Sequence, residues 1–157
     1  ANVTLLHSSP ISVREQILQA DLVIGAVLVQ GARAPRLVKR SDLKDMKDGA
    51  VIVDVAVDQG GCIETCKPTT HADPTFVVDG VLHYCVANMP GAVPRTSTFG
   101  LTNATGPWAK RLAAMGAAAA AKDPVLGTAA NVLGGACTHQ GVADAFDLEY
   151  RAPGSVL

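Results

Sequence analysis

Two uninterrupted aliphatic runs constrain this chain more than any other feature: Asp21-Leu22-Val23-Ile24-Gly25-Ala26-Val27-Leu28-Val29 and Ala50-Val51-Ile52-Val53-Asp54-Val55-Ala56-Val57. A strand with one wet face alternates apolar and polar residues. Runs that are apolar throughout and rich in β-branched residues suit strands buried on both faces of a parallel sheet. Parallel strands need crossover connections, so the intervening segments should hold helices. Aromatic residues are only 4% of the chain, so the core must be built from Val, Leu, Ile and Ala. The length of 157 residues fits one domain, or one and a piece.

Composition removes several function classes. Hydrophobic residues at 48% and charged residues at 17% exclude a disordered charged tail. A net charge of −1 offers no general field for nucleic acid or an anionic membrane. No apolar run approaches the roughly 20 residues of a membrane span. The first residues lack the basic, apolar and small-residue segments of a signal peptide. The cysteines Cys62, Cys66, Cys85 and Cys137 therefore read as reduced thiols, and the chain as cytoplasmic. It begins at Ala1 on a strand-like segment, which suits a portion of something longer.

Along the chain, Val3-Thr4-Leu5-Leu6 reads as a strand ending at a Ser8-Ser9-Pro10 turn. Ser12-Val13-Arg14-Glu15 is a capping-box pattern and predicts a helix over 12–20. Ser41 can cap a second short helix that Gly49 ends. Asp79-Gly80 between Phe76-Val77-Val78 and Val81-Leu82-His83-Tyr84-Cys85-Val86 predicts a hairpin with a type I′ turn. From Thr96 a helical face runs through Leu101, Ala104, Trp108, Leu112 and Met115, with a kink expected at Gly106-Pro107. An Ala-rich helix and a polar tail follow. The expected fold class is α/β, with a parallel Rossmann-like sheet followed by helices.

In such sheets ligands bind beyond the carboxyl ends of the strands. Asp58 stands where a buried strand meets Gln59-Gly60-Gly61, whose glycines permit positive φ and close approach of a ligand. Position alone leaves Asp58 open between an acid–base or ligand-holding group and a turn former. Asp54, inside the strand, reads as structural with its carboxylate hydrogen-bonded. Asn88-Met89-Pro90 ends another strand; the amide could serve a ligand, and spacing alone favours a loop anchor. Cys62 and Cys66, with His71, His83 and Cys85, lack the paired spacing of a zinc ribbon, so no metal site is assigned. Arg33, Arg36, Lys39 and Arg40 read as a solvated loop. The sequence contains neither G-x-G-x-x-G nor a P-loop, so a complete dinucleotide motif is missing.

Longer motifs point to a family. Residues 51–61, Pro68-Thr69-Thr70-His71, Pro74-Thr75-Phe76, Val86 to Pro94, Thr96-Ser97-Thr98 and Leu101-Thr102-Asn103-Ala104-Thr105 resemble the alanine dehydrogenase and pyridine nucleotide transhydrogenase family. So do Ala26 to Val29 with Ala34-Pro35, and Thr138 to Phe146. The resemblance covers nearly the whole chain and is to the carboxyl-terminal half of alanine dehydrogenase. It implies NAD-dependent oxidative deamination of L-alanine to pyruvate and ammonium, reversible, in a homohexamer. It implies that 1–93 is the second part of an NAD-binding Rossmann domain, and that 94–157 is a helix and tail returning to the substrate domain.

Carried over residue by residue, Asp58 matches the family's catalytic aspartate, which places water or ammonia beside the nicotinamide. Val27 and Leu28 match the stretch passing the adenosine and ribose. Val55, Val57 and Asp58 match contacts near the nicotinamide ribose, and Val86, Asn88 and Met89 the segment holding the nicotinamide end. The family's catalytic histidine and its substrate-binding arginine and lysine have no match here, and His7, His71, His83 and His139 are not candidates for that role. Two alternatives stand beside this reading: the nucleotide-binding subunit of a transhydrogenase, against which the Asp58-Gln59-Gly60-Gly61 pattern argues, and a truncated module without catalysis. The isolated chain is expected to be inactive.

Overall fold

The computed structural model describes residues 2–27, 29 and 34–156. These fall into two compact units that divide between residues 92 and 93. In the first unit a helix, α1 (Pro10–Ile17), precedes β1 (Leu22–Gly25); α2 (Arg40–Leu43) then leads to β2 (Val51–Asp54). A hairpin of β3 (Thr75–Val78) and β4 (Val81–Tyr84) completes a four-stranded sheet of order β1-β2-β4-β3. β1, β2 and β4 run parallel and β3 is antiparallel to β4, so the sheet is mixed and mostly parallel.

Local chemistry sets the element ends. Helix α1 starts two residues earlier than expected. Ser9 is the N-cap, its hydroxyl accepting from Ser12 N–H at 3.1 Å, and Pro10 occupies the first turn. Ser12 is thus the far member of the capping box. Helix α2 likewise is not capped by Ser41: the Asp42 carboxylate reaches back to accept from Lys39 N–H at 2.9 Å. Asp79 and Gly80 take φ of 48° and 85°, as a type I′ turn requires. Residues 3–6 form no strand, and Val3 and Leu5 are exposed. A lone extended segment has no ladder to satisfy its backbone and gains nothing over coil.

Strand register sorts the sheet into two faces. Val23, Ile52, His83 and Phe76 pair across one row, with Gly25, Asp54 and Val81 on the same side. Ile17, Leu43, Met46, Ala50, Ile52, Ile63 and Val81 form the core against this side. The other side carries Leu22, Ile24 and Val77, all exposed. The runs suggest strands buried on both faces; among the described residues of the first unit, helix and loop cover one face, and Leu22 and Ile24 on the other are exposed.

The second unit holds α3 (Pro94–Met115), α4 (Ala117–Ala120), a hairpin of β5 (Val132–Leu133) and β6 (Ala136–Cys137), and α5 (Gln140–Phe146). Helix α3 continues unbroken through Gly106 and Pro107, and none of its 22 residues is buried. Asp123 organises the turn after α4: its carboxylate accepts from Val125 and Leu126 N–H at 3.0 Å each and pairs with Arg111. Those contacts hold its carboxyl below the usual carboxylate range, the backbone donors first. Among the described residues, no helix is long and apolar enough to cross a membrane.

Candidate functional site

The carboxyl ends of β1 and β2 lie side by side because the two strands pair in parallel, Gly25 beside Asp54. Asp54, which is fully buried, fixes the path of the chain beyond these ends. Its Oδ1 accepts from Ala56 N–H at 3.0 Å and its Oδ2 from Cys62 N–H at 3.0 Å; the Cys62 thiol donates to Oδ1 at 3.6 Å. The carboxylate thus ends β2 and closes the 55–62 loop, a structural role. Close packing makes the neighbouring glycines obligatory. A Cβ on Gly61, at φ +74°, would lie 2.7 Å from Asp54 Oδ2, and one on Gly25 would lie 2.4 Å from Cys62 Sγ.

The loop closed in this way runs as a single 3-10 turn, Val57–Gln59, ending at Gly60 in the left-handed region. It presents Asp58 outward. Ala26, Val27, Val55, Ala56, Asp58 and Gln59 line a cavity of about 210 Å³ at the sheet's carboxyl edge. Its walls are apolar on the β1 and β2 sides, and its one carboxylate is that of Asp58, which is exposed. Among the described residues, no Lys, Arg or His lines this cavity.

Of the residues picked from sequence, the structure brings Val27, Val55 and Asp58 together at this cavity. Leu28 lies outside the described residues. Val57 is buried beneath the loop, so its side chain belongs to the core rather than to the cavity. Val86, Asn88 and Met89 follow β4, the next parallel strand, and do not line the cavity. Val86 is buried and bridges Thr69. Asn88 has φ 60°, and its carbonyl accepts from Gly91 N–H at 2.9 Å and faces His71 Nε2 at 3.0 Å. Met89 opens a short 3-10 turn. Ala26, Ala56 and Gln59 are lining residues that sequence reasoning missed; each directly neighbours a residue that was picked, and that adjacency was the available signal.

The remaining polar clusters are structural. His83 is fully buried and stacks on Phe76 with centroids 5.0 Å apart. A carbonyl can only accept, so His83 Nδ1–H donates to Val81 O (2.9 Å) and Nε2 accepts from the Thr65 hydroxyl (2.8 Å). Burial pushes this imidazole below the usual histidine range, and the ring is neutral. In the basic loop, Arg36 donates to Glu64 O at 2.8 Å and Arg40 forks onto Asp79 at 2.9 and 3.2 Å. Two of these cations are thus tied to the fold, and Arg33 lies outside the described residues. Among the described residues, no three His, Cys, Asp or Glu side chains converge as a metal ion would need.

A mostly parallel sheet with a cavity at its carboxyl edge, one carboxylate at the rim and apolar walls defines a Rossmann-type α/β domain. The chain belongs to the family described as "Alanine dehydrogenase/PNT, C-terminal domain", whose model matches residues 1–140. It is 56% identical to an alanine dehydrogenase of Halomonas elongata over 97% of this chain and 41% of that protein. It is 55% identical to one of Staphylococcus haemolyticus over 96% of this chain and 41% of that one. Among solved structures, an L-alanine dehydrogenase matches with a TM-score of 0.78 and 48% identity, over 94% of this chain and 41% of the other. A transhydrogenase from Sinorhizobium meliloti matches with a TM-score of 0.52 and 35% identity, over 59% of this chain and 26% of the other. The chain therefore spans 41% of the length of the alanine dehydrogenases it matches.

Proposed function

We propose that this chain supplies the nicotinamide side of an NAD-binding site in an enzyme that converts L-alanine to pyruvate and ammonium. The observation that carries the proposal is the cavity at the β1 and β2 ends, with Asp58 at its rim. Its volume of about 210 Å³ is small beside the roughly 300–1,000 Å³ of whole small-molecule sites, which suits one end of a dinucleotide rather than all of it. Apolar walls from Ala26, Val27, Val55 and Ala56 suit the face of a flat ring and a ribose edge. When bound, NAD supplies a hydride acceptor for the alanine Cα–H.

Asp58 then has a definite task. Loss of hydride from Cα and of a proton from nitrogen leaves an imine carbon that water must attack. A carboxylate at the rim can hold that water and take its proton as the C–O bond forms. The same group can return the proton to the departing nitrogen. Val57 anchors the turn beneath Asp58, Gly60 ends it in the left-handed region, and Gly61 leaves room for the Asp54 carboxylate that closes the loop. The greater extent and similarity of the alanine dehydrogenase match supports this reading over a transhydrogenase.

The test is steady-state alanine oxidation by a full-length alanine dehydrogenase carrying this segment. Asp58→Asn is expected to lower turnover by roughly a hundredfold or more, as loss of a positioned acid–base group does. Unchanged turnover removes Asp58 from the chemistry. Hydride exchange between two nicotinamide cofactors without alanine would favour a transhydrogenase. The 157-residue chain by itself is expected to show no turnover, because among the described residues the cavity has no cationic side chain to polarise a carbonyl.

A further inference from the structure

The Pro68-Thr69-Thr70-His71 motif has a built place at the carboxyl edge of the sheet. β4 runs parallel to β2, so the chain leaving β4 emerges at the same edge as the loop that carries Asp58. The 69–74 loop is laced to that exit. Thr69 N–H donates to Cys85 O at 2.9 Å, Ala87 N–H donates to Thr69 O at 3.0 Å, and Thr69 bridges Val86 in parallel. Two side chains then close the loop on itself: the Thr69 hydroxyl donates to Pro74 O at 3.0 Å, and Asp73 N–H donates to the Thr70 hydroxyl at 3.2 Å. His71 stands in this closed loop, exposed, with its ring Nε2 3.0 Å from Asn88 O.

Asn88 takes φ 60°, in the left-handed region that residues with side chains seldom enter and Asn enters more readily than most. Two donors on its carbonyl hold it there: Gly91 N–H at 2.9 Å and His71 Nε2–H at 3.0 Å. A carbonyl only accepts, so Nε2 carries the proton. Gly91 reports the same closeness independently. Its φ is not left-handed, yet a Cβ there would lie 3.1 Å from Asn88 Nδ2 and 3.2 Å from His71 Nε2, tighter than ordinary van der Waals contact. The imidazole and the Asn88 side chain thus close on one point, and residue 91 can carry no side chain without pushing one of them aside.

We propose that His71 is a positioning residue for the cofactor: through the Asn88 carbonyl it sets the backbone from which Asn88 and Met89 meet the nicotinamide end. The proposal rests on the reading of 86–89 as the segment that holds that end. In this role His71 need not touch the cofactor. It acts by holding a left-handed residue in place, so that the segment binds without first being ordered.

The test uses a full-length alanine dehydrogenase carrying this segment, first without cofactor. Amide hydrogen exchange of the 86–93 stretch, read by mass spectrometry, is expected to quicken in His71→Ala. It should stay at the wild-type rate in His71→Gln, whose amide N–H can make the same bond. NADH binding, read by its fluorescence, should weaken about three- to tenfold in His71→Ala, as loss of one hydrogen bond does, and His71→Gln should recover it. KM for NAD should rise by a similar factor while kcat changes by less than about twofold, since the cofactor is held alike in ground and transition states. Unchanged exchange in His71→Ala overturns the inference and leaves the cofactor reading standing. Faster exchange with unchanged NADH binding means that the segment does not hold the cofactor, and overturns both. A fall in kcat without a rise in KM, or a His71→Gln variant that behaves like His71→Ala, would each overturn the inference.

Discussion

Two glycines with nearly the same backbone conformation allow the Asp54 latch to be measured. Gly49 has φ +76° and Gly61 has φ +74°. Alanine at either site must adopt the left-handed region, which costs about 1–2 kcal/mol. At Gly49 nothing lies within 4 Å of the new Cβ, so that is the whole cost. At Gly61 the Cβ would sit 2.7 Å from Asp54 Oδ2, the atom that accepts from Cys62 N–H. The carboxylate must swing away, leaving a buried donor unsatisfied, for a further cost of about 1–3 kcal/mol. Gly61→Ala is therefore expected to destabilise the first unit by about 2 kcal/mol more than Gly49→Ala. With a urea slope of about 1–3 kcal/mol per molar for a small domain, the two midpoints should differ by about 1 M. Alkylation of buried Cys62 and Cys85 across a urea series reads the first unit. Fluorescence of Trp108, the sole tryptophan, reads the second unit and should not move. Asp54→Asn in the Gly61→Ala background should cost less than in the wild type, since the carboxylate is already displaced. Equal midpoints for the two glycine variants, or full additivity with Asp54→Asn, would refute the latch.

Other consequences are open to simpler measurements. In the unfolded chain His83 titrates near the ordinary value of about 6.5, and in the folded chain it titrates lower. Its contribution to stability is therefore complete above about pH 6.5 and is lost as pH falls through the folded-state value, because the unfolded state takes up the proton first. The urea midpoint of the first unit should drop between about pH 7.5 and about pH 5, and His83→Gln should flatten that step; an equal step in the variant would place the acid lability elsewhere. Arg40 and Asp79 tie the start of α2 to the β3–β4 turn on the surface. Arg40→Ala should lower the melting temperature slightly at low salt and not at high salt, and a large loss in both would contradict a screened surface pair.

The aliphatic runs made strands β1 and β2 legible, and Asp79-Gly80 made the hairpin legible, because both signals are local. The strand ends were not legible, for physical reasons found at particular residues. Val55, Ala56 and Val57 are as strand-like as Val51 to Val53, yet β2 stops at Asp54, whose side chain takes the Ala56 N–H. Such local side-chain bonds compete with the ladder, and periodicity does not register them. Helix α1 offered two readable serines; Pro10 directly after Ser9 is the signal that favours the earlier cap. The exposed face of β1 and the exposed α3 show that an apolar pattern states what a segment can bury. It does not state whether the partner lies within the same chain.

The site follows the same logic one level up. Asp58 and Asp54 are four residues apart in one motif, and their places at the end of the strand and inside it already separate them in the sequence. Burial completes the separation: Asp54 has its oxygens filled by the protein's own N–H groups, whereas Asp58 projects from the loop those bonds create. A carboxylate whose acceptors are already used cannot also manage a substrate proton, which is why the proposed chemistry is assigned to the outward one. Substitution should divide the two accordingly. Asp54→Asn should shift the unfolding midpoint and alter turnover only through the loop it releases. Asp58→Asn should leave the midpoint within about 0.5 kcal/mol of wild type, as exposed substitutions do, while abolishing most turnover in the full-length enzyme. A variant at Asp58 that unfolds the domain would reverse these assignments.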